Sequence, residues 1–297
     1  MDGVPFFIVG SARSGTTLLR VILNAHPNVT VPPESRFVTE LWRHSSEVSA
    51  ERFLSALEQH RQFQSWNLPI EAVRTELNDR ETVPYAVAIE AVYAAYAKRV
   101  GKERWGDKTP RYVEHIPFIS ELFPQARFVH LVRDGRDVAL SYAKVPFGPK
   151  TVAKAAALWA LRVCLGVSEG RRLGSDRYKE IRYEDLVDAP EQTTRSLCEF
   201  LGIRFDQDMM EYTEKAPEFV FDKAKTYNPK VLEKPSKSSR SWATEMPPSH
   251  GEAFEAVAGD VLDLFGYPRR FPTPSLRAKT SAALGKLGLP IGRLAAR

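Results

Sequence analysis

The stretch PFFIVGSARSGTTLL, residues 5–19, decides how the rest of the chain is read. Phe6 to Val9 form a short apolar run of β-formers and predict a strand. Small and polar residues follow from Gly10 to Gly15, and TTLLRVILNAH (16–26) predicts a helix. Gly10 and Gly15 have the spacing of a phosphate-binding loop, in which backbone N–H groups at a helix N-terminus hold phosphate oxygens. A Walker loop requires Lys and then Ser or Thr after its second glycine. Thr16 stands at the lysine position here, and the cation comes earlier, at Arg13. The Walker lysine meets the terminal phosphates of a magnesium nucleoside triphosphate, so its loss counts against an ATPase or a kinase.

Working outward, NVTVPP (28–33) reads as a second short strand, expected beside the first and ended by proline. Residues 35–100 are mostly helical in pattern, most clearly Ala50–Gln62 and Tyr85–Val100. Strands are expected at Arg104–Asp107, Arg127–Val132 and Tyr178–Arg182. Helices are expected after Pro110, over Asp134–Ala143, Thr151–Gly174, Pro190–Gly202 and Gly251–Phe265. Strands alternating with long helices imply a parallel sheet covered on both faces. The expected fold class is therefore α/β: a P-loop-type three-layer sandwich with a central parallel sheet, helices on both faces and a helical acceptor-side insertion over about 42–103. One domain over 1–272 and a basic tail over 273–297 follow from length and charge. The Lys-, Ser- and Pro-rich stretch 223–240 reads as a long loop of the kind that covers ligands.

The net charge of +5 belongs to the tail. After Asp263 the chain has seven basic residues and no acidic one. Removing these seven leaves 35 of the 42 basic residues against 37 acidic ones. A neutral body is poor ground for nucleic-acid binding, so no nucleic-acid partner is expected. Cys164 and Cys198 lack metal-ligand or CxxC spacing and lie in helical stretches. With no secretory signal and no long apolar run, a reduced cytoplasmic protein with two buried thiols and no metal is expected. Leu276, Ala283 and Leu287 could share the apolar face of a basic helix on a membrane; a frayed tail is the favoured expectation.

FVHLVRDGRDVALSYAK (128–144) runs from strand to helix. Arg133 at the strand's carboxyl end and Ser141 about two turns into the helix can grip one phosphate from two sides. The alternative is a local ion pair of Arg133 with Asp134 or Asp137; Arg136 and Asp137 read as a helix-surface pair. With both segments in hand, the chain resembles the PAPS-dependent sulfotransferases, closest in motif to the tyrosylprotein and bacterial branch. PAPS is 3′-phosphoadenylyl sulfate. The resemblance runs from residue 5 to about 267. It implies that Arg13, Ser14, Gly15, Thr16 and Thr17 hold the 5′-phosphosulfate end, and that Arg133 and Ser141 hold the 3′-phosphate. It also points to Tyr183 in IRYEDLVDAP near the adenine and to Lys237 and Arg240 in the 223–242 loop. PAP is then the product and no divalent metal is required, because a monoanionic sulfuryl group needs less neutralisation than a triphosphate.

Sulfuryl transfer to a hydroxyl needs a base beside the acceptor and a cation beside the leaving oxygen. Glu34, in VPPESRF after the second strand, is the expected base, and Glu34-Ser35-Arg36 resembles the Glu-Thr-Arg context of the tyrosylprotein branch. Lys108, in RWGDKTPRY, is the expected cation, acting with Arg13. His115 and His130 are the rival bases. The resemblance to the tyrosylprotein branch also puts Arg36 on a substrate-side position, which implies an anionic acceptor, a small molecule or a peptide hydroxyl; Trp42, Trp66 and Tyr93 are candidates for lining its pocket. A P-loop kinase-like enzyme and a catalytically inactive nucleotide-binding module are the other classes this pattern admits.

Overall fold

A computed structural model describes residues 3–214 and 241–280. The loop expected at 223–240, with Lys237 and Arg240, and the tail beyond 280 lie outside the described residues. In chain order the elements are β1 (Phe6–Gly10), α1 (Thr16–Ala25), β2 (Val29–Thr30), α2 (Phe37–Glu40), β3 (Glu47–Ser49), α3 (Ala50–Glu58), α4 (Arg61–Gln64), α5 (Ile70–Leu77), β4 (Thr82–Pro84) and α6 (Tyr85–Arg99). They continue with β5 (Arg104–Lys108), a 3₁₀ turn (Pro110–His115), α7 (Ile116–Leu122), β6 (Arg127–Val132), α8 (Gly135–Ala143), α9 (Val152–Arg172), β7 (Tyr178–Arg182), α10 (Tyr183–Asp188) and α11 (Pro190–Leu201). After the undescribed segment come α12 (Trp242–Glu245) and α13 (Pro248–Leu264).

The central sheet has the order β2-β5-β1-β6-β7, and each of its pairings is parallel. All of Phe6 to Val9 are fully buried, and successive side chains enter opposite layers. Phe6 and Ile8 join α1, α10 and α11 on one face, while Phe7 and Val9 join α3 to α7 on the other. Such side chains contribute roughly 1.5–3 kcal/mol each, which makes β1 the axis of the fold. From β1 the chain first moves to β2 on one side and later reaches β6 on the other. The reversal opens a crevice at the carboxyl ends of β5, β1 and β6, the place where ligands bind in open parallel sheets.

The second strand is shorter than expected and lies elsewhere. Only Val29 and Thr30 pair, and they pair with β5 rather than β1. β5 takes the inner place because Gly106 has no side chain; a Cβ there would lie 2.3 Å from the Phe6 ring. Within 35–100 the expected helix Ala50–Gln62 breaks into α3 and α4, and an antiparallel pair, β3 with β4, was not legible as strand. Trp66 and Tyr93 are core residues: Tyr93 stacks on Trp105 at 4.2 Å, and Trp66 packs on Tyr93 and Phe37. Cys198 is buried as expected, but Cys164 is exposed, because it faces outward from α9. Of the tail, residues 276–280 are helical, with Ala278 buried and Leu276 82% exposed.

Arg136 is not on the surface. It is fully buried, paired with Asp134 and Glu255 at 2.7 Å each, and its guanidinium lies 3.4 Å from the centre of the Trp242 ring. Glu255 also accepts the backbone N–H groups of Arg270 and Phe271. This network fastens α13 and α12 to α8, the helix that carries Ser141. Breaking a buried pair by removing one partner strands the other charge, at about 3–5 kcal/mol. Glu255→Ala is therefore expected to lower unfolding stability by about that amount in a urea titration. A loss below about 1 kcal/mol would show that the network is not a fastening.

Candidate functional site

α1 begins without help from side chains. Gly15 precedes it in the left-handed region (φ 92°), no side chain caps its N-terminus, and its first turn has no acidic residue. The positive end of the helix dipole is thus left for an anion. Gly15 is required twice over, since a Cβ there would also lie 2.3 Å from the Tyr183 ring. Arg13 adopts φ 74°, a conformation costly for a side chain with a Cβ and one that collects at functional sites. Ser14 is fully buried, and its Oγ has no hydrogen-bond partner among the described residues. Thr16 is buried and Thr17 half-buried in the first turn.

The second segment closes on this loop. Arg13 Nε donates to Ser141 Oγ at 2.9 Å, and Arg133 Nη1 reaches the Arg13 carbonyl at 3.5 Å. Arg133 lies over the Tyr183 ring at 4.5 Å and 4.0 Å from Asp137. Register explains the meeting: Val132 pairs with Arg182, so the residues that follow each strand emerge side by side. Burial, and also the nearness of Arg133, hold the Arg13 guanidinium below its usual pKa, with Tyr142 acting in the opposite sense. The structure therefore gathers Arg13, Ser14, Gly15, Arg133, Ser141 and Tyr183. Tyr183 stands against the loop itself. Asp137 is a neighbour of Arg133, as the ion-pair alternative expects, and the loop is a contact of it as well.

Glu34 and Lys108 form a second centre on the β5 side of β1. Lys108 Nζ donates to Glu34 Oε1 at 2.8 Å, with the lysine side chain 7% and the glutamate 38% exposed. Burial alone would raise the Glu34 pKa, but Lys108, Arg36 and Arg20 outweigh it and hold the carboxyl below its ordinary range. Its approach is fixed by α1: Arg20 Nε and Asn24 Nδ2 both donate to the Val31 carbonyl at 2.8 Å, and Asn24 Oδ1 accepts the Val31 N–H at 2.9 Å. Pairing of β2 with β5 is what sets Glu34 beside Lys108. Lys108 in turn is level with Ile8 of β1, at the same carboxyl edge as the loop.

Sequence reasoning missed the buried hydrogen bonds around this pair. Asp107 Oδ2 accepts from Tyr93 OH at 2.8 Å and from Thr109 Oγ1 at 3.3 Å. Thr109 Oγ1 accepts the Ser35 N–H at 3.0 Å, and Ser35 Oγ lies 2.7 Å from Tyr112 OH. The only available signal was position, because Asp107 and Thr109 flank Lys108 and Ser35 follows Glu34. Of the rival bases, His130 is fully buried, bonded to Tyr178 OH, and pushed down to about 3 by burial, so it is a packing residue. His115 lines a cleft of about 180 Å³ together with Arg36, Arg111 and Tyr112. Thr109 lines it too, so the cleft adjoins the ion pair through the residue after Lys108 and the second residue after Glu34. A larger groove of about 400 Å³ around Arg171, Tyr178 and Phe200 opens at the amino end of β7 and contains none of these groups.

Burial pushes the Asp107 carboxyl up to about 6, against the hydrogen bonds and Lys108 that lower it. A carboxyl whose folded pKa exceeds its unfolded value of about 3.9 binds its proton more tightly in the folded chain. Its contribution to stability is full below about pH 4 and is lost as pH rises through about 6. Asp107→Asn removes that slope, so wild type should lose stability relative to the variant between pH 4 and 6.5. Parallel stability curves for the two proteins over that window would refute the raised carboxyl.

Comparison with known proteins bears on the family and the fold. The model described as "Sulfotransferase family" matches residues 5–207, and one described as "Sulfotransferase domain" matches 171–266. The protein-tyrosine sulfotransferase of Drosophila melanogaster is 26% identical over 214 residues, covering 70% of this chain and 40% of that protein. The nodulation protein NoeE of Sinorhizobium fredii is 27% identical over 303 residues, covering 88% of this chain and 65% of its own. The chain thus spans 40% to 65% of the length of these relatives. Among solved structures, the sulfotransferase domain of the Synechococcus PCC 7002 olefin synthase superposes with a TM-score of 0.60 at 23% identity. It covers 97% of this chain and 95% of that one, a likeness of fold.

Proposed function

The chain belongs to the sulfotransferase family, and on that premise we propose that it transfers a sulfuryl group from PAPS to a hydroxyl acceptor. The observation that carries the reading is the meeting of Arg13, Arg133 and Ser141 at an uncapped helix N-terminus. Two arginines held together by neutral partners suit a ligand with two separate anionic ends. The residues fit such a group: Ser14 Oγ is buried without a hydrogen-bond partner among the described residues, and the loop is drawn in against Tyr183 at Gly15. Arg13, Ser14 and the first turn of α1 would hold the 5′ end, and Arg133 with Ser141 the 3′-phosphate. When bound, PAPS supplies a sulfuryl group joined to a phosphate leaving group.

Glu34 is the proposed base. Held below the ordinary carboxyl range, it is ionised at neutral pH and can take the acceptor's proton at an Oε. Lys108 and Arg13 bring positive charge to the edge where the leaving oxygen gains negative charge. The ion pair of Glu34 with Lys108 means that each spends its charge on the other before the ligands arrive. Thermal unfolding with PAP, and separately with ATP and magnesium, tests the assignment. PAP at a hundred times its Kd should stabilise the chain by about 2.7 kcal/mol. Glu34→Gln should keep that shift and lower turnover about 10²- to 10⁴-fold. Stabilisation by ATP and magnesium in place of PAP would point to a kinase-like enzyme instead.

Arg36 and Arg111 line the cleft beside this pair together with one carboxylate, Glu40, which lies 3.0 Å from His60, so the lining is basic on balance. It suits an acceptor that carries an acidic group near its hydroxyl. Arg36 itself is held at φ 48°, a strained setting for arginine. Tyrosine peptides with flanking acidic residues are expected to have a lower KM than neutral ones, and Arg36→Ala should erase most of that difference. Equal KM values for both peptides in the wild-type chain would rule out acidic-acceptor recognition.

A further inference from the structure

The Glu34–Lys108 ion pair cannot be what positions the base during the reaction. On the reading above, Glu34 takes a proton from the acceptor while Lys108 turns its charge to the leaving oxygen, so each loses the other as a partner. Something neutral must keep the Glu34 backbone in place. The chain offers one hold before it and one after it. Before it, Val31 is bound on both its N–H and its carbonyl by α1, and Pro32 and Pro33 stiffen the link. After it, the Ser35 N–H is held by Thr109 Oγ1, whose own proton goes to Asp107 Oδ2.

We infer that Thr109 is a positioning residue: its hydroxyl joins the peptide that follows the base to the strand end that carries the catalytic cation. This rests on the proposed roles of Glu34 and Lys108. Thr109 suits the task because it follows Lys108 directly and is fully buried, so its bond to Ser35 fixes the separation of the two chain segments without using either charge. A hydroxyl can donate to Asp107 and accept from Ser35 at the same time, which neither a methyl nor a carboxylate could do. Tyr93 on Asp107 and Tyr112 on Ser35 complete the brace from α6 and the 3₁₀ turn. Displacing a reacting group by about 1 Å can cost 10²-fold in rate, so the brace matters to turnover more than to binding.

The test compares Thr109→Val, which keeps the shape and removes the hydroxyl, with Thr109→Ser, which keeps the hydroxyl. Each full-length protein is assayed with PAPS and either 4-nitrophenol or an acidic tyrosine peptide, and PAP binding is measured by calorimetry. Thr109→Val is expected to lower kcat about ten- to a hundredfold, with the PAP Kd and the KM for PAPS within about twofold of wild type. Thr109→Ser is expected to recover most of the rate. Full turnover in Thr109→Val, or a parallel loss of PAP affinity and rate, would overturn the positioning role, as would a Ser variant as slow as the Val variant. Absence of transfer by wild type, or undiminished turnover in Glu34→Gln, removes the reading beneath the inference and the inference with it.

Discussion

Arg13 and Arg133 repel one another, yet the chain brings Arg133 to the Arg13 carbonyl and Arg13 to the Ser141 hydroxyl. Like charges gathered at the mouth of a crevice weaken the fold unless an anion joins them, so the surrounding structure has to impose their meeting. It does so by register. Parallel pairing of β1 with β6 and of β6 with β7 fixes where each strand ends, and hence where the loop, Arg133 and Tyr183 emerge. The uncapped α1 N-terminus adds a third positive element in the same place.

Two arginines three residues apart, where β6 gives way to α8, carry charge of two kinds: Arg136 is buried in the helix and Arg133 half-buried before it. Arg136 is answered on every side, by Asp134, by Glu255, by the Pro268 carbonyl and by the Trp242 ring. Among the contacts of Arg133 are the Tyr183 ring, the Asp137 carboxylate at 4.0 Å and the Arg13 carbonyl at 3.5 Å. Satisfied charge of the first kind specifies packing. Arg133 instead stands at the mouth of the crevice, against the glycine loop. The Glu34–Lys108 pair is intermediate, closed on itself in the free chain but half-open to solvent on the carboxylate side.

The strand at β1, the loop after it and the helix α1 were legible because each has its own local signature: β-forming apolar residues, spaced glycines, and a 3.6-residue apolar period. Arg133 and Ser141 were legible for the same reason, being placed by a strand end and a helix turn. Arg136 was misread, because a charged residue in a first helical turn looks the same whether solvent or Glu255, more than a hundred residues away, faces it. Cys164 was misread for a related reason: α9 is apolar enough that its outward face does not stand out. Pairing of β2 with β5 could not be read from two residues of strand.

By itself, then, the sequence determined the α/β class, the glycine-spaced loop between strand and helix with its displaced cation, and the basic residues at three strand ends, since these depend on neighbours a few positions apart. The tertiary structure alone decided that Glu34 meets Lys108, that His130 is sealed in the core, and that Asp107, Thr109 and Ser35 form a brace. Those outcomes depend on which strands lie side by side. That order is settled by close approaches between distant residues, such as the Phe6 ring over Gly106, which leave no periodic trace in the chain.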